Sequence, residues 1–424
     1  MDANFTTVAW AKDAIIYEVN IRQYTPEGTF SAFQKHLPRL KDMGVSILWL
    51  MPITPISKKV IKGTLGSYYA CSSYTKINPE YGKEADFLNL VDAAHALGIK
   101  VIIDWVANHT GRHHEWMDMH PEWFTRNEAG AFTERNGWDD VVDLNYANSA
   151  MRTALISAMQ YWVRECKIDG FRCDMAHLVP LDFWIEARKA VETIRPLYWL
   201  AECEEVEYHR VFDTTYAWAL MHASEKLSKQ EVGMHEVYNV LHQYAQYPQG
   251  ATKLLFTSNH DENSWNGTEY EKFGVAAKAW AVFTQTWKGI PLIYSGQELP
   301  NKKRLAFFDK DQIEWAGWSE ISGVALHSFY KTLSEFRKAH AAITNGETFN
   351  LPVAENGVMA YLRYDEASLV LVVLNLSAQH HRIQLSHEKL NGTFTNVFSG
   401  FSFPFANNVP FELMPGDYFV YVKS

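Results

Sequence analysis

GFRCDMAHLVP, residues 170–180, sets an arginine and an aspartate two positions apart inside an apolar, strand-like run. Side chains alternate between the two faces of a strand, so Arg172 and Asp174 share one face while Phe171 and Cys173 share the other. Two charges aimed into one space have two readings. One is an ion bridge that holds a fold together; the other is a site. The choice depends on where the remaining polar residues fall.

Seven more β-branched or aromatic runs surround this one: IIYEVNI (15–21), ILWLMP (47–52), VIIDWV (101–106), YWLAE (198–202), a weaker VFDTTYAW (211–218), LLFTSNHD (254–261) and PLIYSG (291–296). Between them the apolar residues recur at helical spacing. In TFSAFQKHLPRLKDMG (29–44), Phe30, Phe33, Leu37, Leu40 and Met43 make one stripe and predict a helix, with Gly44 where a C-cap belongs and Pro38 as an objection inside it. In NSAMRTALISAMQYWVREC (148–166), Asn148 suits an N-cap, and Met151, Leu155, Ala158, Trp162 and Cys166 form the buried stripe.

Eight strand-then-helix units predict a closed parallel barrel, the (β/α)8 TIM barrel, built from 1–109 and 148–349. Functional side chains in such a barrel sit at the C-terminal ends of the strands. Asp104, Asn108 and His109 end the third strand, Arg172 and Asp174 the fourth, Glu202 the fifth, and Asn259, His260 and Asp261 the seventh. A structural ion pair needs one or two strand ends, and here four finish in charged or imidazole groups. That favours a site.

The polar, aromatic stretch 110–147 is too long for an ordinary strand-to-helix loop and predicts a small insertion subdomain over the rim. From 350 to 424 the helical period gives way to short runs, VMAYLRY, LVLVVLNL, HRIQL and YFVYV, separated by Asn, Gly and Pro, which predict a C-terminal β-sandwich.

Of the 424 residues, 47% are apolar and 21% charged, as in a globular chain with a substantial core. A formal net charge of -10 and the lack of a basic run argue against nucleic acid as a partner. Fifteen Trp and twenty-one Tyr would serve a sugar cleft, whose flat rings pack on pyranose faces, although most must be core. Cys71, Cys166, Cys173 and Cys203 have no metal-ligand spacing and are expected as free buried thiols. His113 and His114 are adjacent, so they point apart and predict packing rather than a metal. With no run of eighteen apolar residues and no leader pattern in MDANFTTVAWAKDAIIY, no membrane is expected. The expected location is the cytoplasm, or the periplasm or exterior if a leader has been removed.

Three rim carboxylates with an arginine beside one of them suit glycoside hydrolysis, which needs one carboxylate ionised and another protonated. Arg172 would keep Asp174 ionised. Glu202, ending the apolar YWLA, is the expected acid/base with a raised pKa.

Four ordered segments, DWVANH (104–109), GFRCD (170–174), AE (201–202) and SNHD (258–261), with GSYYACSSYTKINPEYG (66–82) and GIPLIYSGQE (289–298) beside them, resemble the α-amylase family, retaining glycoside hydrolases acting on α-linked glucans. The resemblance implies Asp174 as nucleophile, Glu202 as general acid/base and Asp261 as the carboxylate that grips the ring hydroxyls. It implies His109 and His260 as hydrogen-bonding partners of the same sugar, Arg172 as the residue that orients Asp174, and Tyr69 as the stacking platform. It implies no organic cofactor. Asn108 and Asp143 match the family's calcium ligands, although Asp143 could cap a helix and Asn108 brace a loop without Ca2+. Ser73 stands where many relatives have aspartate. Met175-Ala176-His177-Leu178 lacks the lysine and histidine that typical members place third and fourth after the nucleophile, which weakens both the calcium site and a glucose contact. The substrate implied is a starch-like glucan or malto-oligosaccharide cut at α-1,4 bonds through a covalent glycosyl-enzyme. The alternatives are an exo-acting α-glucosidase or transglycosylase, a non-catalytic carbohydrate-binding relative, and a metal-dependent barrel hydrolase, which the lack of a histidine cluster disfavours.

Overall fold

The computed structural model describes residues 5–315 and 325–424; residues 1–4 and 316–324, inside the expected barrel segments, lie outside the described residues. Eight parallel strands close into a barrel: Ile16–Val19, Ile47–Leu50, Lys100–Trp105, Gly170–Cys173, Tyr198–Ala201, Thr214–Tyr216, Thr252–Leu255 and Ile290–Tyr294. Each overlaps one of the eight runs read from the sequence. The seventh is displaced: it begins at Thr252 and stops at Leu255, so Asn259, His260 and Asp261 lie beyond it, the last two opening a helical turn, rather than on the strand.

Alternation holds across the opening stretch. Arg172 is buried on the inner face, side by side with Asp104 in the parallel register, while Phe171 faces out and packs between Trp105 and Trp199 at ring separations of 5.7 and 5.4 Å. Burying a Phe in this way contributes about 1.5–3 kcal/mol.

The expected helix over 29–44 is two helices, Phe30–Gln34 and Leu37–Asp42. Pro38 is the reason. It has no N–H to donate and is tolerated in a first turn, where the N–H groups have no helical partner, so the chain restarts a helix around it. Gly44 follows at φ +96°, as its C-cap position requires. The helix Ser149–Arg164 starts as expected, the Asn148 side chain accepting the Met151 N–H.

Between the third and fourth strands a short antiparallel pair, His109–Gly111 with Val141–Asp143, ties the insertion to the rim. The C-terminal part is a six-stranded antiparallel sheet, beginning at Glu347, covered on one face by the pair His381–Ser386 and Asn408–Leu413. Val358, Ala360, Leu362, Leu371 and Val373 face that pair, while Met359, Tyr361, Val370, Val372 and Leu374 face the barrel. Burial on both faces explains why LVLVVLN reads as continuously apolar. The four cysteines are free and buried, and no helix among the described residues is long and apolar enough to cross a membrane.

Candidate active site

Arg172 is the hub of the rim. Its Nη1 donates to Asp104 Oδ1 at 2.9 Å and to Asp174 Oδ1 at 3.0 Å; its Nε donates to the Tyr216 hydroxyl at 3.2 Å. Its Nη2 lies 2.7 Å from Glu202 Oε2, an ion contact too bent to count as a hydrogen bond. Asp174 and Glu202 are each the first residue beyond their strands, so neighbouring strand ends deliver two carboxylates to one guanidinium.

Arg172 thus meets Glu202 as well as Asp174, the partner expected from the sequence, and the apolar strand Tyr198–Ala201 ends in a polar setting. Glu202 shares the cation and also accepts the Met175 N–H at 3.0 Å. Nor does Arg172 hold Asp174 low: burial raises the Asp174 carboxyl, Arg172 pulls it back, and it stays above the ordinary aspartate value. Asp261 is likewise raised by burial, with His260 opposing and Glu202 adding to the rise.

A second cation completes the set. His260 donates from Nδ1 to Glu18 Oε1 at 2.5 Å, and its Nε2 lies 2.8 Å from the Tyr69 hydroxyl and 3.2 Å from Asp261 Oδ2. Burial disfavours charge on this ring, yet Asp261 and Glu18 outweigh it, and the imidazole is pushed up to about 9. The Tyr69 hydroxyl in turn donates to Asp104 Oδ2 at 3.2 Å, so one polar chain runs from Glu18 through His260, Tyr69 and Asp104 to Arg172.

These groups face a cleft of about 420 Å³ lined by Tyr69, His109, Asp174, Glu202, His260 and Asp261 among others. All the carboxylate and sugar-contact residues expected from the sequence therefore meet in one place. The Tyr69 ring stacks at 21° on His260 and at 24° on Phe307. His109 is buried and pushed down to about 4 by loss of solvent, and its Nδ1 accepts from the Asn108 amide at 3.1 Å, leaving Nε2 as the donor. Ser73 braces the rim through Glu115, its hydroxyl donating to Oε1 at 2.7 Å. His114 is buried, caps the helix Glu115–Met119 and packs on Tyr74, which is packing chemistry.

The calcium pair does not fit an ion. Arg135 Nε donates to Asp143 Oδ2 at 2.7 Å and its Nη2 to Asn108 Oδ1 at 3.3 Å, while the Asn108 amide donates to Asp143 Oδ1 at 3.4 Å. The oxygens a hard cation would take are already held by a guanidinium, and among the described residues no group of three or more His, Cys, Asp or Glu could hold a metal.

Glu18 and Asp104 were not assigned roles from the sequence. The available signal was a charged residue at an inward position of an otherwise apolar strand, in IIYEVNI and VIIDWV, the same signal that singled out Arg172. Trp138, Trp265, Phe307 and Phe308 also line the cleft, with Trp265 54% exposed at its mouth. Trp265 lies in a π-helical turn, Glu262–Asn266, directly after Asp261.

A parallel barrel whose rim brings paired carboxylates to one open cleft is the layout that glycosidic-bond hydrolysis calls for. The chain belongs to the α-amylase family: the family described as alpha amylase, catalytic domain, matches residues 11–128 and 119–316. The maltogenic amylase C-terminal domain matches 349–420. A noncanonic maltogenic α-amylase from Thermotoga neapolitana is similar in structure, with 31% identity over 98% of this chain and 99% of that one and a TM-score of 0.90. An α-amylase from Lactobacillus plantarum gives 29% identity, 98% and 100% coverage and a TM-score of 0.88. The α-amylase MalA of Haloarcula japonica is 27% identical over 88% of this chain, which spans 56% of that longer relative.

Proposed function

We propose that the chain is a retaining glycoside hydrolase that cuts α-1,4 bonds of malto-oligosaccharides or starch-like glucans. The observation that carries the reading is the contact of one buried guanidinium with both Asp174 and Glu202 at the floor of an open cleft. In the first step the Asp174 carboxylate attacks the anomeric carbon while Glu202 gives its proton to the departing glycosidic oxygen. The carbon–oxygen bond breaks and a glycosyl ester forms on Asp174. In the second step Glu202 takes a proton from water, which displaces Asp174 with a second inversion, so the configuration is retained.

Arg172 stabilises the carboxylate that Asp174 becomes again when the ester is cleaved. Asp261 and the charged His260 hold ring hydroxyls, Tyr69 supports the apolar ring face, and His109 donates from Nε2. The proposal uses no organic cofactor and no calcium at Asn108 and Asp143.

The test is proton NMR of the first product formed from maltoheptaose, beside a timed chromatogram and an Asp174→Asn control. The expected first product is the α-anomer, absent from the control. A β-anomer would overturn the retaining route, and equal turnover by the control would overturn the assignment of Asp174.

A further inference from the structure

The segment between the second strand and Tyr69 crosses the rim and is tied down on both sides. Lys62 Nζ lies 3.0 Å from Asp140 Oδ1 and 3.4 Å from Asp139 Oδ1, both in the insertion after the third strand. Two residues on, the Thr64 N–H donates to Asp309 Oδ1 at 2.9 Å and its hydroxyl donates to the same oxygen, in the segment after the eighth strand. Gly63 between them is at φ +61°, and a Cβ there would come within 2.6 Å of Phe308 Cβ, so the backbone presses directly against the eighth-strand side. Lys62, Asp140 and Phe308 all line the same cleft as Tyr69 and Asp174.

The position of this bar follows from the order of the strands. It joins segments that follow the eighth, second and third strands, a contiguous arc centred near the first and second. Glu202 follows the fifth strand, which stands across the ring from the first. The acid hands its proton to the leaving oxygen, so the departing chain lies on the fifth-strand side. The bar therefore lies on the opposite side, over the sugar that is transferred to Asp174. The cleft volume of about 420 Å³ lies within the roughly 300–1,000 Å³ of ordinary ligand pockets.

Resting on the glycosidase reading above, we infer that the Lys62–Gly63–Thr64 bar closes the donor side of the cleft and makes the enzyme exo-acting, releasing one short product of fixed length from the non-reducing end. An open groove would let chains thread through and be cut internally; a closed donor side admits only an end. Lys62 and Asp309 are specificity-determining residues that act by holding the bar.

The experiment compares maltoheptaose with maltoheptaose whose terminal non-reducing 4- and 6-hydroxyls are blocked as an ethylidene acetal. Wild type is set beside a Lys62→Ala, Asp309→Ala double variant, with circular dichroism to verify folding. Wild type should release a single short sugar at the earliest times and cleave the blocked chain at least tenfold more slowly. The double variant should narrow that ratio several-fold and release longer first products. Equal rates on the two substrates, or mixed lengths at the earliest times, would overturn the closed donor side while leaving the glycosidase reading intact. An exo pattern unchanged in a folded double variant would overturn the role of the bar. Turnover of neither substrate by folded wild type would overturn the glycosidase reading itself.

Discussion

Two buried arginines show what separates a structural ion cluster from one proposed to be reactive. Arg188 donates from Nε to Glu192 at 2.9 Å, from Nη2 to Asp213 at 3.1 Å, and from Nη1 to the Val211 carbonyl. Asp213 also takes the Trp199 N–H and the Thr7 hydroxyl, and Glu192 takes the Trp199 indole N–H. Arg172 instead faces three acids, Asp104, Asp174 and Glu202, with Glu18 and Asp261 left to His260. Burial raises Asp213 and Glu192 as it raises Asp174 and Asp261, so a shifted carboxyl does not mark the site. The marks are an excess of acids over cations and a cleft into which the excess opens. Around Arg188 the excess is a single acid, and neither Asp213 nor Glu192 lines that cleft.

The largest effect that could break this contrast is on turnover. Asp174→Asn should lower kcat on maltoheptaose by a factor on the order of 10⁴ or more without lowering Tm, because it removes an acid the cluster holds in excess. A fall in Tm comparable with that of a core variant would mean that Asp174 is a structural partner after all.

Removing either arginine should cost about 3–5 kcal/mol of stability, since each leaves buried carboxylates without their cation. Denaturant titration of Arg172→Gln and Arg188→Gln measures the loss. Folded Arg188→Gln should retain its kcat, whereas Arg172→Gln should lose nearly all of it. Equal retention of activity would erase the distinction between the two clusters.

The pH dependence sharpens the same point. The His260 pKa is raised in the folded state to about 9, so its stabilising contribution is complete below the ordinary histidine value and fades as pH rises through about 9. The raised carboxyls Asp174 and Asp261 act in the same direction at lower pH, favouring the fold while protonated and less so once ionised. Stability should therefore be highest in mild acid and decline toward pH 9, by on the order of 2–3 kcal/mol over the histidine window. Thermal unfolding against pH measures this, and Glu18→Gln should flatten the upper part of the curve.

The smallest effect concerns the Arg135 bridge. Its side chain is 61% exposed, and although Asp143 is buried the Asn108 amide still donates to it, so Arg135→Ala should cost about 1 kcal/mol. Wild-type Tm should not respond to EDTA or to added calcium. A drop on chelation that calcium restores would place an ion between Asn108 and Asp143.

The barrel was legible because most of its strands are buried and read as compact apolar runs, the Thr214–Tyr216 strand being the weak exception, and the candidate site residues stood out as charges in or just past such runs. Two kinds of feature were not. Pro38 divided one helical stripe into two helices, since apolar spacing continues across a restart that backbone hydrogen bonding does not. The partners of Lys62, Thr64 and Asn108 could not be read either: Asp139, Asp309 and Arg135 are far away in the chain, in polar loops without a period to anchor them. Arg135 lies eight residues from Asp143, and nothing in that spacing marks it as the cation the pair would hold.

The C-terminal sheet carries one more consequence. Tyr361 shares a 2.6 Å hydrogen bond with the Thr286 hydroxyl and meets Trp287 edge-on at 4.8 Å, and Tyr418 meets Phe329 of the helix Ala325–Ala339 at 5.4 Å. The sheet's inner side chains thus belong to the same apolar interior as the barrel helices. The two parts should melt together in one calorimetric transition, and a chain cut short before the sheet should aggregate instead of persisting as a free-standing barrel.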